Sequence, residues 1–123
     1  MTVNKKKPKV LVVDDERVIA DTLAIILGQH GYDASAAYSG VAAVEFARSS
    51  GPDLIISDVF MPDMNGIEAA IQIRKFLPSC KILLFSGQAA TADLLENARA
   101  QGHEFEILAK PVHPQDLLAK LRR

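Results

Sequence analysis

The stretch LIISDVFMPDMNG, residues 54–66, joins an apolar run to a carboxylate and then to a turn. The run is near-continuous Leu and Ile, which is typical of a strand covered on both faces, as in a parallel sheet. Asp58 ends this run, and four turn-forming residues follow it: Pro62, Asp63, Asn65 and Gly66. Because a buried carboxylate is costly to desolvate, we expect Asp58 to have either a partner or a function.

Apolar runs and helical patterns alternate along the whole chain. The runs predict five strands, over residues 9–13, 32–38, 53–57, 81–86 and 105–109. Apolar residues at helical spacing follow each run, over 16–29, 40–50, 66–76, 90–101 and 115–123. In the first of these segments, Val18, Leu23 and Leu27 fall in one apolar stripe. Five β–α units with right-handed crossovers predict an α/β domain of the flavodoxin-like, doubly wound (βα)5 type, with a parallel five-stranded sheet of order 2-1-3-4-5.

Composition bounds the class of protein. The length of 123 residues suits a single domain over 1–123, with a flexible basic tail over 1–8. The net charge of −1 gives no basic field for direct binding of nucleic acid or of an anionic membrane. No apolar stretch approaches the roughly 18 residues of a membrane span, and the N-terminus lacks the apolar segment of a signal peptide, so a cytoplasmic location is expected. The single cysteine, Cys80, excludes an internal disulfide and is expected to be a buried or half-buried thiol.

Side chains able to do chemistry fall at the ends of four predicted strands. They end or follow strands 1, 3, 4 and 5: Asp14, Asp15, Asp58, Ser86 and Lys110. In the order 2-1-3-4-5 these four strands are neighbours, and ligands of such sheets bind beyond the carboxyl ends of the strands. We therefore expect the five side chains to surround one shallow pocket.

Three neighbouring carboxylates repel one another unless a cation shares their site. Oxygen ligands of this kind suit Mg²⁺, which keeps several waters and pairs with phosphate. With the metal present, one carboxylate can act as a nucleophile and form an aspartyl phosphate. Lys110 can then stabilise charge on the transferred phosphoryl group, and Ser86 can donate a hydrogen bond to it.

Each of these signals has a simpler interpretation when taken alone. Asp14 and Asp15 can be N-caps of the first helix. Asp58 can head a turn, and Lys110 can be a solvated charge. Their convergence at one edge of the sheet favours the functional interpretation, whereas Asp63 in the following loop is assigned to structure.

Four motifs resemble the receiver domain of bacterial two-component response regulators: VVDDE (12–16), DVFMPDMNG (58–66), FSG (85–87) and AKP (109–111). None is decisive alone, but together, in order and at the spacing of that family, they are specific and cover nearly the whole chain. The resemblance implies that Asp58 is the phosphoacceptor. It also implies that Mg²⁺ is held by Asp14, Asp15, Asp58 and the backbone carbonyl of Phe60.

The resemblance carries further expectations about the switch and its partners. Lys110 is expected to contact the phosphoryl group and to precede a cis bond to Pro111, and Ser86 to move toward the phosphate. The phosphoryl donor is expected to be a sensor histidine kinase or a histidine phosphotransfer protein, and the readout a shift in the face formed by helix 4, strand 5 and helix 5. Such a domain catalyses its own phosphorylation and dephosphorylation and is not a turnover enzyme. An output domain, a separate downstream protein and a phosphorylation-dependent homodimer all stay open.

The sequence departs from the family pattern at the position three before Lys110. That position is usually Tyr or Phe in the family but is Ile107 here, and Phe105 is the nearest aromatic residue. The segment between Gly102 and Lys110 is also one residue longer than the common spacing. An interaction module with this fold but without phosphorylation is therefore an alternative function.

Phe60 bears on a second alternative and on the lifetime of the phosphate. Haloacid-dehalogenase-type phosphatases also form an aspartyl phosphate, but their motif has a second Asp where this chain has Phe60, and the chain lacks room for a cap domain. Phe60 and Gln88 are expected to border the path of attacking water. A slow to intermediate self-dephosphorylation is therefore predicted.

Overall fold

Five strands form the centre of the molecule in the computed structural model, which describes residues 7–87 and 91–122. The strands are β1 Lys9–Val13, β2 Asp33–Ala37, β3 Leu54–Asp58, β4 Lys81–Ser86 and β5 Glu106–Ala109. They pair in parallel in the order β2-β1-β3-β4-β5. The predicted fold class and strand order are therefore confirmed. Within the described ranges, no helix is both long and apolar enough to cross a bilayer.

A helix follows each strand. The helices are α1 Arg17–Gln29, α2 Gly40–Ser50, α3 Gly66–Phe76, α4 Thr91–Ala100 and α5 Pro114–Leu121. Ser39 caps α2 by accepting a hydrogen bond from the N–H of Ala42, and Asn65 caps α3 in the same way from Glu68. The predicted ends at residues 90 and 123, and residues 1–6 of the predicted tail, lie outside the described residues.

The sheet is covered on both faces, as its near-continuous apolar strands predict. Successive residues of β1 point to opposite sides. Leu11 and Val13 lie in a core closed by α2, α3 and α4. Val10 and Val12 lie in a second core closed by α1 and α5. Both cores hold β1 and β3 rigidly at the centre, so their carboxyl ends are fixed relative to each other.

The apolar stripe predicted for α1 is partly wrong. Leu23 and Leu27 are buried together with Ala20, but Val18 is 78% exposed. At 3.6 residues per turn, Val18 lies about 200° around the helix from Ala20, so the helix cannot bury both against one face of the sheet. Cys80 agrees with its prediction, since it is buried and burial raises the pKa of its thiol to about 11.

Candidate phosphoacceptor site

The register of the sheet brings the predicted site residues to one edge. Val13 of β1 pairs with Ser57 of β3, so the next residues along these strands, Asp14 and Asp58, are neighbours. On the other side of β3, Asp58 pairs with Phe85 of β4. The sequence pattern thus predicts the geometry because parallel strands place all their carboxyl ends at the same edge.

Asp14, Asp15 and Asp58 form a compact acidic cluster. One carboxylate oxygen from each residue lies within 4.8 Å of the others. Asp14 is fully buried and Asp58 is 7% exposed, whereas Asp15 is exposed to solvent. Three hard oxygen ligands open to water on one side are a donor set that fits Mg²⁺, which retains part of its hydration shell.

Lys110 is the cation of this cluster among the described residues. Its Nζ lies 3.3 Å from Oδ2 of Asp14 and 3.4 Å from Oδ2 of Asp58. The peptide bond from Lys110 to Pro111 is cis. The ammonium group thus bridges two carboxylates that would otherwise repel each other.

Burial dominates the electrostatics of both buried acids. It raises the pKa of Asp14 above the ordinary 3.8, although the N–H of Glu16 and the charge of Lys110 act in the opposite direction. The pKa of Asp58 is also raised, by burial first and by the charge of Asp14, against the lowering effect of Lys110. Burial lowers the pKa of Lys110, but the charges of Asp58 and Asp14 outweigh it and leave this pKa raised. Additional positive charge at this site would therefore favour the ionised acids.

Comparison with known proteins identifies the family. The sequence model described as response regulator receiver domain matches residues 10–122. The chain belongs to this family. The probable transcriptional regulatory protein TcrX of Mycobacterium tuberculosis is 32% identical to this receiver domain over 113 residues, which cover 92% of this chain and 47% of TcrX. The response regulator MprA of Mycobacterium ulcerans is 32% identical over 114 residues, covering 93% of this chain and 48% of MprA, so the chain spans about half the length of these curated relatives.

Solved structures of related proteins have the same fold. A receiver domain protein from Methanospirillum hungatei superimposes with a TM-score of 0.84 at 27% identity, covering 94% of this chain and 91% of the other. The chemotaxis protein CheY4 of Vibrio cholerae also gives a TM-score of 0.84, at 32% identity, covering 95% of this chain and 98% of CheY4. This receiver domain is therefore a two-component signalling domain with the flavodoxin-like architecture.

The loop after β3 of the receiver domain is held close to Asp58. The N–H of Gly66 donates to the carbonyl of Val59 at 2.7 Å, and the hydroxyl of Ser57 donates to the carbonyl of Asp58 at 2.9 Å. A Cβ at Gly66 would lie far inside van der Waals contact with the carbonyl oxygen of Asp58. Residue 66 therefore has to be glycine for the loop to fold back this tightly.

Asp63 fastens the same loop to α2. Its Oδ1 accepts from the N–H of Gly40 at 3.2 Å and its Oδ2 from the N–H of Val41 at 2.9 Å. Asp63 thus has a structural role, and its contact with α2 could not be seen from sequence spacing. Hydrogen bonding by Val41, with a further contribution from Gly40, lowers the pKa of Asp63 despite slight burial.

Asp63→Ala is expected to lower the free energy of unfolding by about 1 kcal/mol at pH 7, the usual effect of losing a helix cap. Because the pKa of Asp63 is lower in the folded chain, the ionised carboxylate stabilises the fold at pH values above its ordinary 3.8. The difference between the variant and the wild type should therefore shrink as pH falls through the folded pKa. Urea unfolding at several pH values measures the free energies of unfolding, and a difference between them that is independent of pH would contradict the prediction. Asp63→Asn is expected to have a stability between those of the wild type and of Asp63→Ala.

Phe60 forms one wall of the cavity at the site. The described residues that line the cavity are Asp15, Glu16, Asp58, Phe60, Gly87 and Lys110. Phe60 is half-buried and packs against the core closed by α2, α3 and α4. Phe60 thus borders the cavity that also contains Asp58, whereas Gln88 lies outside the described residues. The predicted role of Phe60 in limiting water access stays a prediction.

Ser86 has a partner that the sequence did not indicate. Its Oγ lies 2.7 Å from Oγ1 of Thr91, the first residue of α4, and both residues are buried. The main chain of Ser86 is tied to the site as well, since its carbonyl accepts from the N–H of Lys110 at 3.2 Å. The one available signal for Thr91 was a hydroxyl residue at the start of a helical pattern, which usually indicates a local cap and not a contact with a strand.

Ile107, which departs from the family pattern, and Phe105, the nearest aromatic residue, occupy different surroundings. Ile107 lies in β5 and is 36% exposed. Phe105 precedes β5, contrary to the predicted strand boundary, and its ring lies 4.1 Å from the guanidinium carbon of Arg74 and stacks with His103 at 6.5 Å between centroids. Phe105 therefore packs at the amino end of β5, at the opposite edge of the sheet from Asp58.

Proposed function

We propose that this receiver domain, over residues 1–123, is a cytoplasmic switch that accepts a phosphoryl group on Asp58 from a sensor histidine kinase or a histidine phosphotransfer protein. The observation that carries the proposal is the acidic cluster, in which oxygens of Asp14, Asp15 and Asp58 lie within 4.8 Å of one another beside the ammonium group of Lys110. These acids, together with the backbone carbonyl of Phe60, would hold Mg²⁺. Once bound, Mg²⁺ supplies positive charge that offsets the repulsion among the acids and the phosphoryl oxygens.

In this proposal Asp58 acts as the nucleophile. One of its carboxylate oxygens would form the bond to phosphorus while the bond from phosphorus to the donor nitrogen breaks, and the electron pair of that bond returns to the histidine ring. The other oxygen, Oδ2, lies 3.4 Å from Nζ of Lys110, which holds the carboxylate in one orientation. The same ammonium group is near enough to stabilise charge on the transferred group, and Ser86 supplies a hydroxyl from the neighbouring strand.

The expected output follows from the longer relatives. TcrX is described as a probable transcriptional regulatory protein, and this chain covers less than half of it. We infer that this receiver domain passes its state to an output domain or to a downstream protein, and does not turn over a substrate. The change of state itself would be a rearrangement around Ser86 and Lys110.

Incubation with Mg²⁺ and a small phosphodonor tests the proposal. Intact mass spectrometry should show one added phosphoryl group on the wild-type chain and none on Asp58→Asn, and a chelator should abolish the addition. The variant keeps the size of the side chain but removes the nucleophilic charge. If the wild type takes up no phosphate, the proposal fails, and an interaction module with the same fold becomes the better account.

Phe60→Ala is expected to accelerate loss of the phosphate several-fold, because truncating the ring opens a path for water to the aspartyl phosphate. The rate is measured by mass spectrometry after removal of the phosphodonor. Phe46→Ala is the matched control, since Phe46 is also half-buried against the same core but lines a cavity with Lys9 and Asp33 at the amino ends of the strands. An unchanged rate in Phe60→Ala, or an equal acceleration in the control, would contradict the shielding role.

A further inference from the structure

We propose that Thr91 is a positioning residue that holds the Ser86 hydroxyl before phosphorylation and couples its release to the first turn of α4. The inference rests on the proposed function, because the event that moves Ser86 is the arrival of a phosphoryl group on Asp58. Its basis is the 2.7 Å contact between Ser86 Oγ and Thr91 Oγ1.

The contact joins the edge of the sheet directly to a helix. Ser86 is the last residue of β4 and is 9% exposed, and Thr91 is the first residue of α4 and is 6% exposed. They are five positions apart in sequence, so the bond spans the connection between the strand and the helix. A reorientation of the Ser86 hydroxyl would therefore change a contact of the first residue of α4.

Ser86 lies close enough to the phosphoacceptor to respond to it. Phe85, which precedes Ser86, pairs with Asp58 in the sheet, and the carbonyl of Phe85 accepts from the N–H of Val59 at 3.2 Å. A phosphoryl group on Asp58 adds oxygens that accept hydrogen bonds and donate none. The Ser86 hydroxyl is a donor that can satisfy one of them from the adjacent strand.

A turn of the Ser86 hydroxyl toward the phosphoryl group changes its contact with Thr91, whichever of the two hydroxyls is the donor. The Ser86 oxygen occupies staggered positions that differ by a rotation of about 120° around the Cα–Cβ bond, so a change of position moves it relative to Thr91. When Ser86 Oγ turns toward a phosphoryl oxygen, Thr91 must either follow it or lose the bond. Because Thr91 is buried, a lost partner is unfavourable for its hydroxyl. In both cases the first turn of α4 changes when Asp58 is phosphorylated.

This route differs from one through a side chain of β5. Ile107 is aliphatic and 36% exposed, so it has no ring to move inward and no polar group to follow the Ser86 hydroxyl. Phe105 packs against Arg74 at the other edge of the sheet. The hydroxyl pair instead connects the site directly to α4.

Thr91→Val tests the inference, with Thr91→Ser as its control. Valine keeps the shape of threonine but removes the hydroxyl, whereas serine keeps the hydroxyl. Beryllofluoride with Mg²⁺ mimics the phosphoryl group, and its apparent affinity is measured by titration while amide hydrogen exchange is followed over residues 91–100. Thr91→Val should bind beryllofluoride at least about fivefold more tightly, because turning the Ser86 hydroxyl toward the mimic no longer disturbs a bond to Thr91. The exchange of α4 should respond to beryllofluoride less than in the wild type, and Thr91→Ser should behave as the wild type in both measurements.

A double-mutant cycle with Ser86→Ala separates coupling from a merely structural role. In the Ser86→Ala background the additional Thr91→Val change should have no effect on beryllofluoride affinity, since the hydroxyl that Thr91 holds is gone. Urea unfolding checks that each variant is folded, and Thr91→Ala replaces Thr91→Val if the latter is not. Equal affinity and an equal α4 response in Thr91→Val and the wild type would overturn the inference while leaving the proposed function intact. Failure of the wild type to bind beryllofluoride would overturn both.

Discussion

Lys110→Met is expected to slow phosphate uptake from a small phosphodonor by about a hundredfold or more, the usual effect of removing a preorganised charge from a reacting centre. Two consequences of the change act in the same direction. The ammonium group no longer stabilises charge on the transferred phosphoryl group. In addition, the pKa of Asp58, which Lys110 lowers, rises further, so a smaller fraction of the nucleophile is ionised.

Lys120→Met is the matched control for this prediction. Lys120 forms an ion pair with Glu106 at 2.9 Å, between α5 and β5, and is not among the residues that line the cavity at Asp58 in the described structure. The same chemical change there should leave the rate of phosphate uptake unaltered. Rates are measured by intact mass spectrometry at a fixed donor concentration. Uptake by Lys110→Met at the wild-type rate would show that the ammonium group has no part in the reaction.

Gly66→Ala is expected to be the most damaging small substitution in the described structure. The added Cβ would overlap the carbonyl oxygen of Asp58 and also press on Ser57 Oγ. Backbone atoms cannot yield as a flexible side chain can, so the loop after β3 has to move. We expect a loss of about 3 kcal/mol or more in the free energy of unfolding, at the upper end of overpacking effects, together with loss of phosphate uptake.

Gly28→Ala is the same chemical change, but it is expected to raise the free energy of unfolding. Gly28 lies within α1, and a Cβ there would meet nothing within 4 Å. Alanine should therefore stabilise the fold by about 0.5–1 kcal/mol, because glycine is entropically costly in a helix. Urea unfolding of both variants tests the pair. A Gly66→Ala variant as stable as the wild type, with normal phosphate uptake, would show that the loop is not constrained by its contact with Asp58.

The central part of the fold could be predicted because local pattern and global architecture agree there. Near-continuous apolar runs such as 9–13 and 53–57 are typical of strands in a sheet covered on both faces. Once the strand order is fixed, the positions of Asp14 and Asp58 at the ends of adjacent strands follow from sequence alone. The structure places their oxygens within reach of a single cation.

The contacts that escaped prediction join residues through space without a periodic signal. Asp63 caps α2 from a loop 22 or 23 positions away, and nothing in its surroundings in the sequence indicates that partner. The sequence indicates only that Thr91 lies at the start of a helix, yet its hydroxyl is hydrogen-bonded to that of Ser86. Val18 has the spacing of the apolar stripe but is exposed. The spacing of apolar residues does not show which of them face the sheet. Phe105 continues the alternation of a strand but packs against Arg74 before the strand begins.

Chemical mapping of the phosphorylated residue tests the central claim most directly. Borohydride reduces an aspartyl phosphate to an alcohol, and peptide mass spectrometry then locates the reduced residue. After treatment of the wild type with Mg²⁺ and a phosphodonor, the account predicts reduction at Asp58 and at no other carboxylate. Reduction at Asp14 or Asp15 with Asp58 unmodified, or no reduction anywhere in a chain that has gained phosphate, would contradict it.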